Sequence, residues 1–389
     1  MVVNRQPNHS GPLALLLLWG AGLYLRMTVM VAPPLAPSIA RELNLGQAAT
    51  GALTTFPILM LAVAGIAASW LISRIGARYT LILALVLVAA SSSARGLGGV
   101  APLFTATAIM GIAIAGIQPA LPTLLTEWMP ERIAFGTAVY MNGMLMGEVL
   151  GSTLTLPMML PLAGGEWRLA LLFWSLPAVI PALGLLFLLR NAPTGSNDAG
   201  SWMPAWRKPL VWRLGMLLGA SGSLFFGTNA YLGTVLNGRG DSELLGLGLI
   251  LLNGTQLIAS VSMFWLTRHW IGRARPLFSL MALGLASLGI FVLVPGLPGL
   301  FALAPAGITA GMMLILMVGL PPLYARGNQT AALAAGMFAI GSITNFLIPL
   351  LGGLVADFTG MPGMAVIPIV LYCLAVLPLA RNLPPVTQN

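Results

Sequence analysis

Residues 13–39 read LALLLLWGAGLYLRMTVMVAPPLAPSI, a run long and apolar enough for a helix that crosses a bilayer. The run nevertheless carries Arg26 near its middle, and a cation at that depth costs at least about 2.5–3.5 kcal/mol on insertion scales. Pro33, Pro34 and Pro37 follow, and we expect them to interrupt or bend the helix because proline has no backbone N–H to donate. A spanning helix with a central arginine and a broken outer end indicates a pathway for a solute.

The composition is that of an integral membrane protein. Of the 389 residues, 58% are hydrophobic and 7% are charged, whereas soluble domains carry about 25% charged residues. The net charge of +9 is explained by the enrichment of Lys and Arg in cytoplasmic loops. We therefore expect the chain to interact with the lipid bilayer and not with nucleic acid.

The counts of cysteine and histidine predict no cofactor, and the first apolar run is not expected to be a cleaved signal peptide. A single cysteine, Cys373, excludes an intramolecular disulfide, and two histidines, His9 and His269, are too few for a histidine metal or haem site. The first apolar run is not followed by a convincing small-residue cleavage site, so we interpret it as a retained span and not as a signal peptide.

Twelve apolar spans can be placed along the chain, which predicts an all-α integral membrane protein. Between the sixth and seventh spans lies the longest polar and Pro/Gly/Ser-rich stretch, residues 190–212, which is typical of a linker. We predict an N-terminal six-helix half at residues 1–190, a cytoplasmic linker at 191–210 and a C-terminal six-helix half at 211–389. The predicted spans are 13–37, 48–72, 79–97, 101–125, 133–160, 168–189, 211–236, 243–267, 276–295, 299–323, 331–355 and 362–381.

The distribution of basic residues predicts the orientation of these spans. With the N-terminus inside, 13 basic residues fall in cytoplasmic segments and four fall in outer loops or helix ends, namely Arg41, Arg95, Arg168 and Arg239. This asymmetry follows the positive-inside rule. We expect a multi-pass protein of a bacterial-type inner membrane with both termini in the cytoplasm.

The two predicted halves share short sequence features. The connection after the second span reads Arg74-Ile-Gly-Ala-Arg78, and the one after the eighth reads Ile271-Gly-Arg-Ala-Arg275. Gly111 precedes Pro122 by 11 residues in the fourth span, and Gly311 precedes Pro322 by the same interval in the tenth. These matches indicate an internal duplication, which is a recognised design of transporters.

Several further segments are distinctive, namely Leu25-Arg26-Met-Thr28, Pro33-Pro34-Leu35, Gly111-Ile-Ala-Ile-Ala-Gly116, Leu121-Pro122 and Trp167-Arg168-Leu-Ala-Leu171. Together with the two six-span halves and the basic loops, they resemble the major facilitator superfamily, and the segments themselves are similar to its cyanate and nitroimidazole transporter branch. The superfamily resemblance covers essentially the whole chain, whereas the branch resemblance is concentrated in the first half.

The resemblance implies a fold of 12 transmembrane helices in two pseudo-symmetric six-helix halves. It also implies that the basic loops latch helix ends in one conformation, through Arg74, Gly76, Arg78, Arg268, Gly272 and Arg275. The sequence departs from the family in three places. Ser73 stands where an acidic residue is usual, Tyr231-Leu-Gly-Thr234 replaces a Trp-Leu-Pro, and Glu148 is not expected from the branch.

Arg26 is the first candidate for binding a substrate. At a rise of 1.5 Å per residue it lies about 20 Å from the cytoplasmic end of its span, too deep to reach that surface comfortably. Its guanidinium fork matches a carboxylate, a nitro group or a linear anion. The alternative is a structural arginine, bonded to backbone carbonyls that the prolines free or paired with an acid.

Glu148 is the only acidic residue clearly within a predicted span. Tyr140, Gly143, Gly147 and Gly151 lie mostly on another face of the same helix, and the glycine stripe predicts the close approach of a neighbouring helix. A buried glutamate can alternate between protonated and charged states. That property suits proton coupling, or neutralisation of Arg26 when no substrate is bound. A neutral, hydrogen-bonded glutamic acid without a role in transport is the alternative.

Intramembrane amides and phenols form a further set of candidates. Each either makes a hydrogen bond between helices or lines a cavity. Gln118 is favoured because Pro119 beside it frees a backbone carbonyl. The predicted substrate-binding residues are Arg26, Gln118, Tyr140, Asn142, Asn229, Tyr231, Asn253, Gln256 and Asn345, with Glu148 as the residue for proton coupling.

The sequence favours a secondary transporter that works by alternating access and functions as a monomer. Its predicted substrate is a small anion or a compact polar or nitro compound, similar to cyanate, nitrate, nitroimidazole or a carboxylate, bound at a central cavity by Arg26. A proton-coupled exporter of drug-like molecules that uses Glu148 is the second hypothesis. A membrane-embedded enzyme is a remote alternative, and we predict no enzymatic activity because the sequence supplies neither a set of metal ligands nor a nucleophile with a base.

Overall fold

A computed structural model describes residues 11–129, 132–188, 206–325 and 328–384 of the chain. All the regular secondary structure in these ranges is helical, and they contain no strand. This agrees with the predicted all-α class. A helix satisfies its own backbone hydrogen bonds, which is what an apolar segment requires in a bilayer.

The described residues form eleven helices that are long and apolar enough to cross a membrane, and a bent helix pair brings the total to twelve. Each of the twelve overlaps one predicted span, with ends that differ by up to nine residues, so the chain is a multi-pass membrane protein. Spans 1 to 12 are Pro12–Leu43, Gln47–Gly65, Trp70–Ala94, Val100–Leu125, the pair Phe135–Thr153 and Thr155–Leu162, Trp167–Phe187, Pro209–Arg239, Ser242–Met263, Ala274–Leu293, Gly296–Val318, Ala332–Thr359 and Pro362–Arg381.

Span 5 is the bent pair, with an angle of 54° between its two helices. The second helix begins with a π-helical turn, Thr155–Met159, that contains Pro157. Proline has no N–H for the regular helical bond, and the wider turn accommodates it. Further π-helical turns lie in spans 6, 7 and 8, at Gly184–Leu188, Ser223–Gly227 and Ile250–Gly254.

Span 1 consists of three helices, Pro12–Leu23, Met27–Met30 and Ala32–Leu43. The prediction that the prolines break this span needs correction. Pro33 and Pro34 lie in the first turn of the third helix, where a backbone N–H has no helical partner. Pro37 lies inside the same helix. The main interruption lies earlier than the prolines, before Met27.

The two similar loops contain glycines in the left-handed region of backbone conformation. Gly76 has φ 81° and Gly272 has φ 73°. A side chain is disfavoured at such angles, so each glycine is required by the turn that separates two helices. Gly76 lies at a kink inside the long helix Gln47–Ala94, within span 3, whereas Gly272 lies between spans 8 and 9, so the two similar stretches share a glycine of positive φ.

The chain divides into two compact units. One comprises Met1–Val31 and Val63–Ala199, and the other comprises Ala32–Ala62 and Gly200–Asn389. The predicted boundary between the linker and the N-terminal half lies outside the described residues, which leaves out 189–205. The division into halves at 190 and 210 stays a prediction.

In the first unit, spans 1 and 5 approach until their backbones touch. A Cβ added at Gly143 would lie 2.3 Å from the carbonyl oxygen of Trp19, and one added at Gly147 would lie 2.2 Å from that of Leu23. At Gly151 the distance to the carbonyl oxygen of Met27 would be 2.7 Å. The close approach predicted from the glycine stripe is confirmed.

In the second unit, the start of span 2 is held by spans 7 and 11. The Asp357 carboxylate accepts hydrogen bonds from the backbone N–H groups of Gln47 at 2.6 Å and Ala48 at 3.0 Å. The Thr234 hydroxyl donates to the side-chain oxygen of Gln47 at 2.9 Å. Because the first N–H groups of a helix have no partner within the helix, Asp357 caps span 2.

Candidate functional site

Arg26 lies at the interruption of span 1. Its backbone has φ −133° and ψ −30°, which is not helical. The N–H groups of Leu25 and Arg26 bond to carbonyls three residues earlier, at 3.0 and 3.3 Å, so the helix tightens before it stops. Irregular backbone is tolerated at membrane depth only where protein buries it or where it lines a cavity. Discontinuous helices of this kind form substrate sites in many transporters.

Glu148 of span 5 is the acidic neighbour of Arg26. The Glu148 residue is 2% exposed, and its charge interacts with that of Arg26. The adjacent Gly147 contacts the backbone of Leu23, three residues before Arg26, which brings the two side chains to the same level. Arg26 remains partly exposed. The structure therefore brings together the two residues that the sequence singled out as intramembrane charges.

Other predicted residues of span 5 also face span 1. The indole N–H of Trp19 donates to the Asn142 side-chain oxygen at 2.9 Å. The backbone carbonyl of Tyr140 packs on Gly22, where an added Cβ would lie 2.3 Å from the oxygen. Asn142 thus takes part in a hydrogen bond between helices. Gln118, on span 4, is exposed.

A second buried arginine in this unit was not predicted. Sequence analysis placed Arg95 among outer loops or helix ends, but it is 0% exposed just after span 3. Its Nη1 donates to the carbonyl of Thr28, two residues after Arg26, at 2.9 Å. Burial lowers the pKa of Arg95 to about 10, so the side chain is still cationic at neutral pH. The run Ser91-Ser92-Ser93-Ala94 before it is the available signal, since small residues allow close packing.

In the second unit, Asn229 and Asn253 are paired. The Asn253 amide donates to the Asn229 side-chain oxygen at 2.9 Å, and the Asn229 amide donates to the carbonyl of Phe225 at 3.1 Å. The π-helical turns Ser223–Gly227 and Ile250–Gly254 accompany the pair, and such turns are frequent at functional sites. The pair joins spans 7 and 8.

The remaining polar candidates of this unit are also buried between helices. The Tyr231 hydroxyl donates to the carbonyl of Pro349 at 2.6 Å. The Asn345 side-chain oxygen accepts from the Ser223 hydroxyl at 3.5 Å, and Gln256 is 3% exposed beside Gly311. These positions fit hydrogen bonding between helices better than open lining of a cavity.

Comparison with known proteins gives the family. The sequence model described as Major Facilitator Superfamily matches residues 18–344, which is most of the chain. The chain belongs to the Major Facilitator Superfamily. Its fold is the superfamily's all-helical fold, as the resemblance implied.

Curated proteins similar to this chain include bacterial transporters. Over 225 residues the chain is 32% identical to the 2-nitroimidazole transporter of Escherichia coli, covering 56% of each protein. It is 29% identical over 217 residues to the uncharacterized transporter YycB of Bacillus subtilis, covering 56% of this chain and 54% of YycB. With the cyanate transport protein CynX of Escherichia coli the identity is 23% over 207 residues, covering 53% of each. The chain spans about half the length of the curated relatives it matches.

Solved structures of similar fold match nearly the whole chain. A bacterial homolog of the human lysosomal transporter Spinster, in an inward-facing and occupied conformation, matches with a TM-score of 0.74 at 17% identity, covering 94% of this chain and 93% of the other. The unoccupied inward-facing form of a Spinster homolog gives 0.72 at 17% identity, covering 96% and 95%. At this identity the likeness shows the fold alone.

The loop residues of this superfamily member take two kinds of position. Arg78 is 2% exposed, and it donates to the carbonyls of Leu185 and Leu186 near the end of span 6. Arg74 stacks over Trp70, and Arg275 is exposed. The side chain of Arg268 lies outside the described part of the chain. The Arg78 contact is of the kind expected of a residue that holds helix ends.

Proposed function

We propose that this protein is a secondary transporter, not an enzyme, that moves a small anion or a compact polar or nitro compound by alternating access. The observation that carries the proposal is the position of Arg26 at a break in span 1 beside Glu148. Two relatives are a 2-nitroimidazole transporter and a cyanate transport protein, and their named substrates carry electronegative groups that a guanidinium binds. Membership of the superfamily supports the transport class.

In the proposed mechanism Glu148 is the counter-ion of Arg26 in the absence of substrate. Removing one partner of a buried ion pair typically costs about 3–5 kcal/mol, because the other charge is left uncompensated. An arriving anion takes over part of this role by accepting hydrogen bonds from the Arg26 fork. The anion can drive the conformational cycle only if it binds the two facing states with different affinity. The break in span 1 is the element whose conformation we propose to differ between the two facing states.

The second candidate function is proton-coupled export of drug-like molecules. It is favoured by one observation, the burial of Glu148 next to a cation. Protonation of Glu148 would release Arg26 for another partner, so that proton and substrate binding are linked. This candidate uses the same two residues as the first. It differs from the first in that a proton drives transport and in that the substrate leaves the cell.

The site is tested by reconstituting the purified protein in liposomes and measuring exchange of labelled cyanate, nitrate and a 2-nitroimidazole. We expect Arg26→Ala to abolish exchange while the protein remains folded and monodisperse. Arg381→Ala, which removes an exposed arginine at the end of span 12, serves as the matched control and should retain exchange. Full exchange by Arg26→Ala would sink the proposed binding site.

We also propose a bacterial inner-membrane protein with both termini in the cytoplasm and a functional monomer. The excess of arginine in the predicted cytoplasmic segments supports this orientation. Accessibility of tags at the two termini in intact cells tests the orientation, with labelling from outside as the contradicting result. The molar mass of the substrate-binding protein in detergent, measured by light scattering, tests the monomer. The mass of a dimer would contradict it.

A further inference from the structure

The guanidinium of Arg95 has one edge whose donors are not used within the described part of the chain. Nη1 donates to the carbonyl of Thr28 at 2.9 Å and lies 3.8 Å from the sulfur of Met110. The Nε and Nη2 atoms are buried and have no hydrogen-bond partner among the described residues. The hydroxyl of Thr28, a residue that is 0% exposed, is also buried without a hydrogen-bond partner among the described residues. Buried donors without an acceptor are costly and uncommon, so this concentration of them needs a reason.

Arg78 shows what a structural arginine looks like in the same unit. Its Nε and Nη2 donate to the carbonyl of Leu185 at 3.0 and 2.6 Å, and Nη2 also donates to that of Leu186 at 3.1 Å. The same edge of the guanidinium is thus saturated by backbone carbonyls at a helix end. Both arginines are almost completely buried, so burial alone does not account for the difference at Arg95.

The chemistry of the unused edge defines its ligand. Nε–H and Nη2–H point in parallel and match two oxygens of one planar group. A carboxylate, a nitrate ion or a nitro group presents such a pair, and the Thr28 hydroxyl is a further unused donor on the residue that Arg95 contacts. Because both residues are fully buried, the edge is closed to solvent in this conformation, and a small ligand reaches it only in a conformation that opens it. A chloride ion or a linear anion would use only part of this edge.

We infer that Arg95 and Thr28 form a second binding position for a small oxyanion or nitro group. The inference rests on the proposed function and narrows the substrate class to groups with two coplanar oxygens. Thr28 belongs to the short helix Met27–Met30 that follows Arg26 directly. Occupation of this position therefore acts on the same interruption of span 1 that carries Arg26, and the protein holds two neighbouring anion positions instead of one.

The test measures formate binding separately from transport. Purified full-length protein in detergent is titrated with sodium formate at constant ionic strength, with sodium gluconate as the balancing salt, and the midpoint of thermal stabilisation is recorded. Arg26→Gln removes the first position, so any remaining saturable response reports the second. We expect this response to persist in Arg26→Gln and its midpoint to rise at least about tenfold when Arg95→Lys is added, because lysine keeps the charge but lacks the paired donors.

Two further variants keep the result interpretable. Thr28→Val in the Arg26→Gln background should also raise the formate midpoint, and it remains usable if Arg95→Lys does not fold. Arg78→Lys in that background should leave the midpoint unchanged, since the Arg78 edge is bonded to backbone. No formate response in Arg26→Gln, or equal midpoints with and without Arg95→Lys, overturns the second position. Neither result affects the test of the first position, which compares substrate exchange by the wild type with exchange by Arg26→Ala.

Discussion

The contact between spans 1 and 5 at Gly147 allows a quantitative prediction. An alanine Cβ at this position would lie 2.2 Å from the carbonyl oxygen of Leu23, 2.9 Å from its carbonyl carbon and 3.0 Å from its Cα. All three atoms belong to the backbone and cannot rotate away. The spans would have to separate by about 1 Å to restore an ordinary contact distance, because packed interiors have no spare volume.

Two opposing contributions set the magnitude. Overpacking of a well-packed interior typically costs about 1–3 kcal/mol. Replacing glycine by alanine inside a helix contributes about 0.8–1.0 kcal/mol in the favourable direction. The expected net effect of Gly147→Ala ranges from about neutral to about 2 kcal/mol of destabilisation, and the clearer consequence is displacement of Glu148 from Arg26. A misplacement of about 1 Å at a reacting or binding centre is sufficient for a large loss of activity.

The assay combines thermal unfolding in detergent with exchange of labelled substrate in liposomes. We expect Gly147→Ala to reduce exchange by at least tenfold, a change of about 1.4 kcal/mol in transition-state free energy. Gly289→Ala is the matched control, since a Cβ there meets nothing within 4 Å and the residue lies inside the helix of span 9. It should be neutral or stabilising. Wild-type exchange in Gly147→Ala would refute the link between this close approach and the site, whatever the measured stability.

Three further predictions follow from single contacts. Glu148→Gln should remove the dependence of transport on a pH gradient while exchange is retained, and an unchanged pH profile would count against proton coupling. Asp357→Asn should lower stability by about 1 kcal/mol in thermal unfolding, because the amide is a weaker acceptor for the N–H groups of Gln47 and Ala48; no change would argue against a capping role. A double-mutant cycle of Asn229→Ala and Asn253→Ala should give a coupling free energy of about 0.6–1.7 kcal/mol, the range for hydrogen bonds between membrane helices, and strict additivity would contradict the pairing.

The helices could be predicted from sequence because each one is determined by the composition of its own segment. A segment of about 20 apolar residues has only one favourable way to satisfy its backbone in a bilayer, so composition alone placed every span. The bend of 54° in span 5 was not predicted. Pro157 marks its position, but whether a proline bends a helix by a little or a lot depends on the packing around it.

The candidate site was predicted in part. Arg26 and Glu148 stood out because intramembrane charges are costly, and an arginine and an acid that share a bilayer tend to pair. Arg95 escaped because a basic residue at the end of a span is usually assigned to the loop, where it costs nothing. Its burial arises from contacts with distant residues, Thr28 and Met110, which hydropathy cannot reveal.

The interruption at Tyr24–Arg26 is the feature that neither composition nor local propensity explains. Leucine and arginine are good helix formers, and the segment contains neither glycine nor proline. Contacts from other spans must therefore hold it open. The Tyr24 hydroxyl donates to the carbonyl of Trp174 at 3.4 Å, and Arg95 donates to that of Thr28 at 2.9 Å. The first contact holds the side chain of Tyr24 at the break, and the second holds the carbonyl of Thr28 just after it. We expect the loss of either contact to favour a regular helix through Arg26. Arg95 donates to the segment that follows Arg26 directly, and in the proposed second position the same residue presents its unused donor edge to an oxyanion. The conformation of the break and the binding of anions are for that reason expected to be thermodynamically linked.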